Sequence, residues 1–358
     1  MPRHPLTVAV TGLNATDNPA PGVAVIRALL ADPEFDLTII GLAYDALDPG
    51  IYMNDLCDRV YLIPFPSSGE EELLGRLAAI HAENPIDLLI PTLDAELLSF
   101  VHLEAQLAEL GIKMLVPTEE TLRLRGKDRL PELAAKAGIP APRTEPIGDP
   151  GFFASAVKEG WRYPLVVKGI FYDAKVVHTV EAGIAAFHAI AAQWGLPLLV
   201  QEYVAGEEYN LSAVGDGEGR LLGPVMMKKT FLTEKGKGWA GVSILDPAFL
   251  VAAEKLVAGL NWRGGLEVEV KRRPDGSLLL LEINPRFPAW IYLSVGVGRN
   301  LPALLARLAL DLPLPDLTPY KAGTMFVRFS QDMIVDLADF EAVAVTGHLN
   351  HDTQGGAP

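Results

Sequence analysis

The stretch that most constrains this chain is a pair of apolar runs joined by a turn, each carrying polar residues at alternate positions. Leu278-Leu279-Leu280-Leu281-Glu282-Ile283-Asn284-Pro285-Arg286 passes from a leucine strand into a carboxylate, an amide and a guanidinium. Side chains two apart on a strand share a face, so Glu282, Asn284 and Arg286 can enter one site. Upstream, Gly264-Gly265-Leu266-Glu267-Val268-Glu269-Val270 reads as the antiparallel partner, with Pro274-Asp275-Gly276 as the turn. Such a hairpin brings Glu269 near Glu282. Two buried carboxylates do not sit together ionised without a cation, and hard oxygen ligands suit Mg²⁺ or Mn²⁺ holding a polyphosphate. An ordinary hairpin with its polar residues in water fits poorly with the leucines and isoleucine around the acids.

The 358 residues suffice for two or three domains. With 49% hydrophobic and 21% charged residues the composition is that of a globular protein. A net charge of −15 argues against nucleic acid or an anionic membrane as partner. Cys57 is the single cysteine, which leaves no internal disulfide and no Cys-rich zinc site. The seven histidines show no metal-ligand spacing. No N-terminal apolar stretch approaches a signal core or membrane span in length. A cytoplasmic protein is expected, with a homo-oligomer left open.

Apolar runs at 6–12, 37–42, 60–64, 86–92 and 113–117 alternate with helical spacing at 23–30, 70–82 and 95–109. That alternation predicts a parallel sheet covered on both faces, a Rossmann-like domain over residues 1–116. Gly12 and Gly22 are too far apart for a dinucleotide signature, which disfavours a nicotinamide oxidoreductase. A helix is expected over 118–140, capped by Thr118 and broken at Gly138-Ile139-Pro140. Strands at 164–168 and 176–179 with a helix at 181–193 make a small α+β unit, residues 117–196. Antiparallel strand signals dominate residues 197–345, and residues 346–358 read as a flexible tail. Loop 14–22 and Asp94 both lie at carboxyl ends of strands, where open α/β sheets bind ligands. Asp94 is equally placed to cap the following helix.

Lys127 stands in Arg-Gly-Lys-Asp-Arg-Leu, Lys168 ends an apolar strand, and Gln201-Glu202-Tyr203-Val204-Ala205-Gly206-Glu207-Glu208 follows another. A charge closing a buried strand requires an anionic partner, and a guanidinium such as Arg286 suits bidentate anion recognition. Together with the acid hairpin, these segments resemble the ATP-grasp superfamily over about residues 1–330, above all its carboxylate–amine ligases and carbamoyl-phosphate-synthase-like members. The implied fold is a two-lobed ATP-grasp module after the Rossmann-like domain.

The resemblance implies that Lys127 and Lys168 contact the nucleotide, that Gln201, Glu202 and Val204 border the adenine, and that Glu208 takes the ribose, with Glu207 solvated. It makes Glu269, Glu282 and Asn284 the ligands joining Mg²⁺ to ATP, and sets Arg286 against a substrate carboxylate or acyl phosphate. One of Lys228 and Lys229 faces the phosphates; the sequence does not say which. Lys235 and Lys237 lie in a Gly-rich loop near the substrate. Where family members carry a glycine-rich flap, Gly169-Ile170-Phe171-Tyr172-Asp173-Ala174-Lys175 has a single glycine. Phe171 or Tyr172 could then cover the site, and Lys175 could supply a phosphate ligand by its side chain. Phe287, Trp290, Ile291 and Tyr292 are expected in a helix core, or else against an apolar part of the substrate. The implied activity is ATP-dependent ligation of a small-molecule or peptide carboxylate to an amine. The alternatives are a carboxylase or kinase on the same fold, and a regulatory subunit that binds ATP without turnover.

Overall fold

The computed structural model describes residues 3–15, 18–169, 173–233 and 236–351. Four strands, β1 (His4–Val10), β2 (Phe35–Ala43), β3 (Arg59–Leu62) and β4 (Leu88–Ile90), lie parallel in the order β3-β2-β1-β4. Val8, Val10 and Ile39 turn to the helix Pro21–Leu30, while Ala9, Ile40 and Leu42 meet the helices Glu70–Glu83 and Leu97–Glu109. Apolar runs without alternation are what a sheet buried on both faces requires. The strand expected at 113–117 is reduced to a bridge between Leu88 and Lys113. Beyond it the chain is engaged elsewhere: Arg263 Nη2 donates to Met114 O at 3.3 Å, and Gly264 passes so close to Leu115 O that a Cβ would lie 2.4 Å from it.

The helix expected over 118–140 is divided into Glu119–Leu124 and Leu130–Ala137 by a short 3₁₀ turn, Lys127–Arg129. Thr118 caps the first, accepting from Thr121 N at 3.2 Å. Gly126 releases the chain, and Pro131 in the opening turn of the second helix has no N–H to continue the first. Strands β5 (Thr144–Ile147), β6 (Leu165–Lys168), β7 (Ala174–Val177) and β8 (Leu198–Glu202) form an antiparallel sheet ordered β5-β8-β6-β7. The helix Val180–Trp194 covers one of its faces through Ala186, Phe187 and Ile190.

The largest sheet contains β9 (Glu207–Asp216), β10 (Leu221–Leu232), β11 (Gly238–Ile244), β12 (Arg263–Arg272), β13 (Leu278–Asn284) and β14 (Met325–Val327), in the order β13-β12-β9-β10-β11-β14. Leu211, Ala213, Leu266, Val268, Val270 and Ile283 pack one face against the helices Leu130–Ala137 and Pro247–Leu260. On the other face, Val214, Val225 and Met227 join a core shared with the helix Leu301–Ala309, with Val8 and Val10 of the first sheet and with Ile26 of the helix Pro21–Leu30. Phe287, Trp290 and Ile291 belong to this core. Tyr292 lies outside it, beneath the Arg27 guanidinium, 4.3 Å from the ring centroid.

A last strand, β15 (His348–Asn350), pairs antiparallel with β3. Residues 348–350 are therefore sheet, not the flexible tail expected from 346 onward. The free edge of β3 supplies backbone partners, and Arg76 Nη2 donates to Gly347 O at 3.0 Å. Residues 352–358 lie outside the described residues. No helix among the described residues is long and apolar enough to cross a membrane.

Candidate functional site

Strand register assembles the site. Glu269 stands opposite Glu282 and Glu267 opposite Asn284 across β12–β13. Across β9–β12, Asn210 faces Glu269, Ser212 faces Glu267 and Glu208 faces Lys271. The residues between them fill the core behind, so the period of two turns every one of these polar groups to the same face. The hairpin geometry expected from the sequence is present.

Of the two lysines on β10, Lys229 reaches this face. Its Nζ donates to Glu269 Oε2 at 2.9 Å and to Glu208 Oε2 at 3.2 Å. Burial alone would lower its pKa; the two carboxylates outweigh that and raise it. Lys228, the other lysine expected to be able to face the phosphates, alternates to the opposite face and pairs with exposed Glu207. Glu208 also meets Lys271 at 2.9 Å. Despite burial, the two lysines hold its carboxyl below the usual carboxylate range.

Lys168 enters from the smaller sheet. Its Nζ donates to Gln201 Oε1 at 2.7 Å, and Gln201 Nε2 donates in turn to Thr144 Oγ1 at 3.0 Å. Burial lowers the Lys168 pKa, with Lys127 pushing the same way and Glu282, Glu269 and Glu208 opposing. The two lysines and three acids thus share one electrostatic site across the two sheets. Burial raises the Glu282 pKa, Lys127 and Lys168 counter it, and Glu269 adds to it. Lys175 does not join the group: it stands opposite buried Val167, on the other face of the sheet from Lys168, and is exposed. Lys168 itself pairs with Ala174, which leaves a five-residue connection, Gly169–Asp173. Phe171 and Tyr172 lie outside the described residues, as does Lys235; Lys237 lies in a turn where its N donates to Thr233 Oγ1 at 3.2 Å.

The segment after β8 joins the two sheets. Glu202 lies 3.5 Å from Arg273, Val204 is buried, and among the described residues no backbone hydrogen bond is made by Tyr203, Val204 or Ala205. Gly206 has φ +150°, and a Cβ there would lie 2.3 Å from Arg272 O. Only glycine lets this turn come so close to β12.

Arg286 donates from Nε to Asp94 Oδ2 at 2.7 Å, and its Nη2 lies 2.6 Å from the same oxygen. Arg125 holds the other Asp94 oxygen at 3.1 Å. Asp94 is therefore an ion-pair partner; the following helix has Glu96 at its N-cap position, with no side-chain cap. Burial would lower the Arg286 pKa, but Asp94 and Glu267 outweigh it. The sequence reading missed Arg328. Its Nη1 donates to Gly238 O at 2.8 Å and to Asn18 Oδ1, and burial pushes its pKa down to about 10 against the pull of Glu267. Its alternation with Phe326 on an edge strand was the available signal, but β14 has only three residues. Asn210 was also missed, two positions after Glu208 on the same face.

Glu269, Glu282 and Asn284 form a hard donor set of two carboxylates and an amide, and a divalent cation would relieve the repulsion between the paired acids. Among the described residues, no three His, Cys, Asp or Glu side chains converge as a metal site on their own. The chemistry of these residues fits Mg²⁺ as carried by a nucleotide.

Lys168 on the smaller sheet and Lys127 in the 3₁₀ turn thus lie close to carboxylates of the largest sheet, beside a parallel sheet. The family described as "ATP-grasp in the biosynthetic pathway with Ter operon" matches residues 196–331. The 3-methyl-D-ornithine–L-lysine ligase of Methanosarcina mazei is 30% identical over 190 residues, 51% of this chain and 44% of that ligase. The D-alanine–D-alanine ligase of Chromohalobacter salexigens is 30% identical over 173 residues, 44% of this chain and 54% of the ligase. This chain thus spans about half the length of the curated relatives it matches. The biotin carboxylase domain of Hydrogenobacter thermophilus 2-oxoglutarate carboxylase, solved with MgADP, superposes with a TM-score of 0.66 at 17% identity, covering 86% of this chain and 70% of that one. Over residues 196–331 the chain belongs to the ATP-grasp superfamily.

Proposed function

We propose that this chain is an ATP- and Mg²⁺-dependent ligase that activates a substrate carboxylate as an acyl phosphate for attack by an amine. The observation that carries this reading is the facing pair Glu269 and Glu282 with Asn284 beside it, under the charges of Lys168 and Lys127. In this reading residues 1–116 precede a small lobe, 117–196, and a large lobe, 197–345. Lys127 and Lys168 bind phosphate, the backbone at 202–205 borders the adenine, and Glu208 takes the ribose once drawn from Lys229 and Lys271. Mg²⁺ held by Glu269, Glu282 and Asn284 supplies charge neutralisation at the phosphates. Lys229 offsets the carboxylates from beside them.

Arg286 and Arg328 orient the substrate carboxylate, one oxygen of which attacks the γ-phosphorus as the bond to ADP breaks. The amine nitrogen then bonds to the acyl carbon, phosphate leaves, and the proton lost from nitrogen passes to solvent. Positioning and charge neutralisation do most of the work in such a transfer, which suits a site of cations and hard ligands. The test is ADP release over a panel of carboxylates paired with amines. A pair that stimulates release, with product containing the new C–N bond, is expected. Glu282→Ala should cut turnover at least a hundredfold while the chain stays folded. Unchanged turnover in that variant would sink the assignment, and nucleotide binding without ADP release from any pair would leave a binding protein.

A further inference from the structure

Glu267 is the acid of the hairpin that the proposed chemistry leaves unused, and it is one of the most buried charged groups in the molecule, 5% exposed. Its Oε1 accepts from Asn210 Nδ2 at 2.8 Å and from Trp290 Nε1 at 2.6 Å, and its Oε2 accepts from Asn284 Nδ2 at 3.0 Å. Three donors from three elements converge on a group that can only accept when ionised. Burial and neighbouring Glu269 raise its pKa to about 7, while Arg286, Lys229 and the Trp290 hydrogen bond pull the other way. Asn284 Nδ2 makes a second contact to Glu269 Oε1 at 3.3 Å. Both amide hydrogens of Asn284 are thus committed to carboxylates, and Oδ1 is the end left over.

An asparagine amide has nearly the same shape either way round, and only its oxygen can meet a cation. The wrong orientation would aim N–H bonds at positive charge. Fixing the amide before the cation arrives removes that state, as outer partners do for other metal ligands. We propose that Glu267 is a positioning residue: clamped by Asn210 and Trp290, it holds the Asn284 amide with Oδ1 directed at the divalent cation. The clamp is anchored independently of the site, because Asn210 is fully buried on β9 and Trp290 sits in the core shared with the first sheet. A glutamine at 267 would turn its own NH₂ against one of three donors, so the role demands a carboxylate. This inference rests on the nucleotide-site reading above.

The test measures Mn²⁺ affinity by electron paramagnetic resonance on the full chain with ADP, for wild type, Glu267→Gln and Trp290→Phe, alongside thermal unfolding without metal. Wild type should bind Mn²⁺ with ADP. Glu267→Gln should weaken that binding tenfold or more. Trp290→Phe, which keeps an aromatic ring in the core but loses the N–H together with part of the indole's volume, should weaken it in the same direction by less, with thermal unfolding reporting the packing loss separately. ADP affinity without metal should stay unchanged in both, and raised Mg²⁺ should restore turnover. Trp290→Phe carries the test alone if Glu267→Gln fails to fold. Wild-type Mn²⁺ affinity in folded variants would overturn the role of Glu267 and leave the nucleotide site standing. So would a loss of turnover that excess Mg²⁺ does not restore. A wild-type chain that binds no Mn²⁺ with ADP would overturn both.

Discussion

Lys229 shares its ammonium between Glu208 and Glu269 at 3.2 and 2.9 Å with 11% of the side chain exposed, whereas adjacent Lys228 meets Glu207 at the surface. Removing one partner of a buried ion group strands the others, at a cost of about 3–5 kcal/mol; exposed pairs contribute little. Lys229→Met should therefore lower the melting temperature and nucleotide-dependent turnover together, while Lys228→Met leaves both near wild type. Calorimetry and an ADP assay on the two variants check this, and equal effects would contradict the alternation. Glu96 supplies a pH prediction away from the acid hairpin. It is fully buried and accepts from Thr92 N at 2.8 Å, Leu93 N at 2.9 Å and the hydroxyls of Thr11 and Tyr44. Burial raises its pKa above 4.5. The folded chain then keeps a proton that the unfolded chain loses, so this group's contribution to stability declines as pH rises from about 4.5 to the raised value. Denaturant titrations across that range should show a flatter slope for Glu96→Gln than for wild type.

At the level of elements, the junction between β8 and β9 transmits backbone geometry to the site. Gly206 sits at φ +150° against Arg272 O, one residue before β9 delivers Glu207 outward and Glu208 inward. Gly206→Ala must move the turn away from β12 or strain it, which costs about 1–3 kcal/mol. A lower melting temperature together with weaker nucleotide binding is the expected result, and a variant with neither change would show that the turn is free to shift. The acid hairpin was legible in the sequence because its pattern is local: apolar runs, alternate polar residues, a Pro-Asp-Gly turn. The helix expected over 118–140 was less so, since its continuous helical spacing hid the division that Gly126 and Pro131 impose. Lys175 was misplaced for a related reason. The tightness of the Lys168–Ala174 hairpin sets its face, and loop length alone does not reveal which residues pair.

In the whole molecule, the first sheet and the largest sheet share one apolar core through the helix Leu301–Ala309, and polar contacts stitch the same boundary. Arg307 reaches Asp32 at 3.1 Å, Asn300 Nδ2 donates to Ala28 O at 2.5 Å, and Arg263 pairs with Glu104. Leu304→Ala, in the middle of this core at 2% exposure, should cost about 2–5 kcal/mol. It should shift the melting of both sheets as one transition; two separated transitions, with only one displaced, would show that they unfold independently.

The sequence by itself determined the acid hairpin, the alternation of strands and helices and the strand that ends in Lys168, because each follows from the local period of polar and apolar residues; the superfamily rested on the resemblance of its motifs. Only the tertiary structure decided which lysine of the Lys228–Lys229 pair faces the acids, that Asp94 holds Arg286, that buried Arg328 feels the charge of Glu267, and that residues 348–350 return to pair with β3. Those outcomes depend on contacts between residues as much as 310 positions apart, as with Asn18 and Arg328. No local pattern encodes which buried charge will find which partner; desolvation punishes every unpaired arrangement, and only the assembled fold presents the partners to choose from.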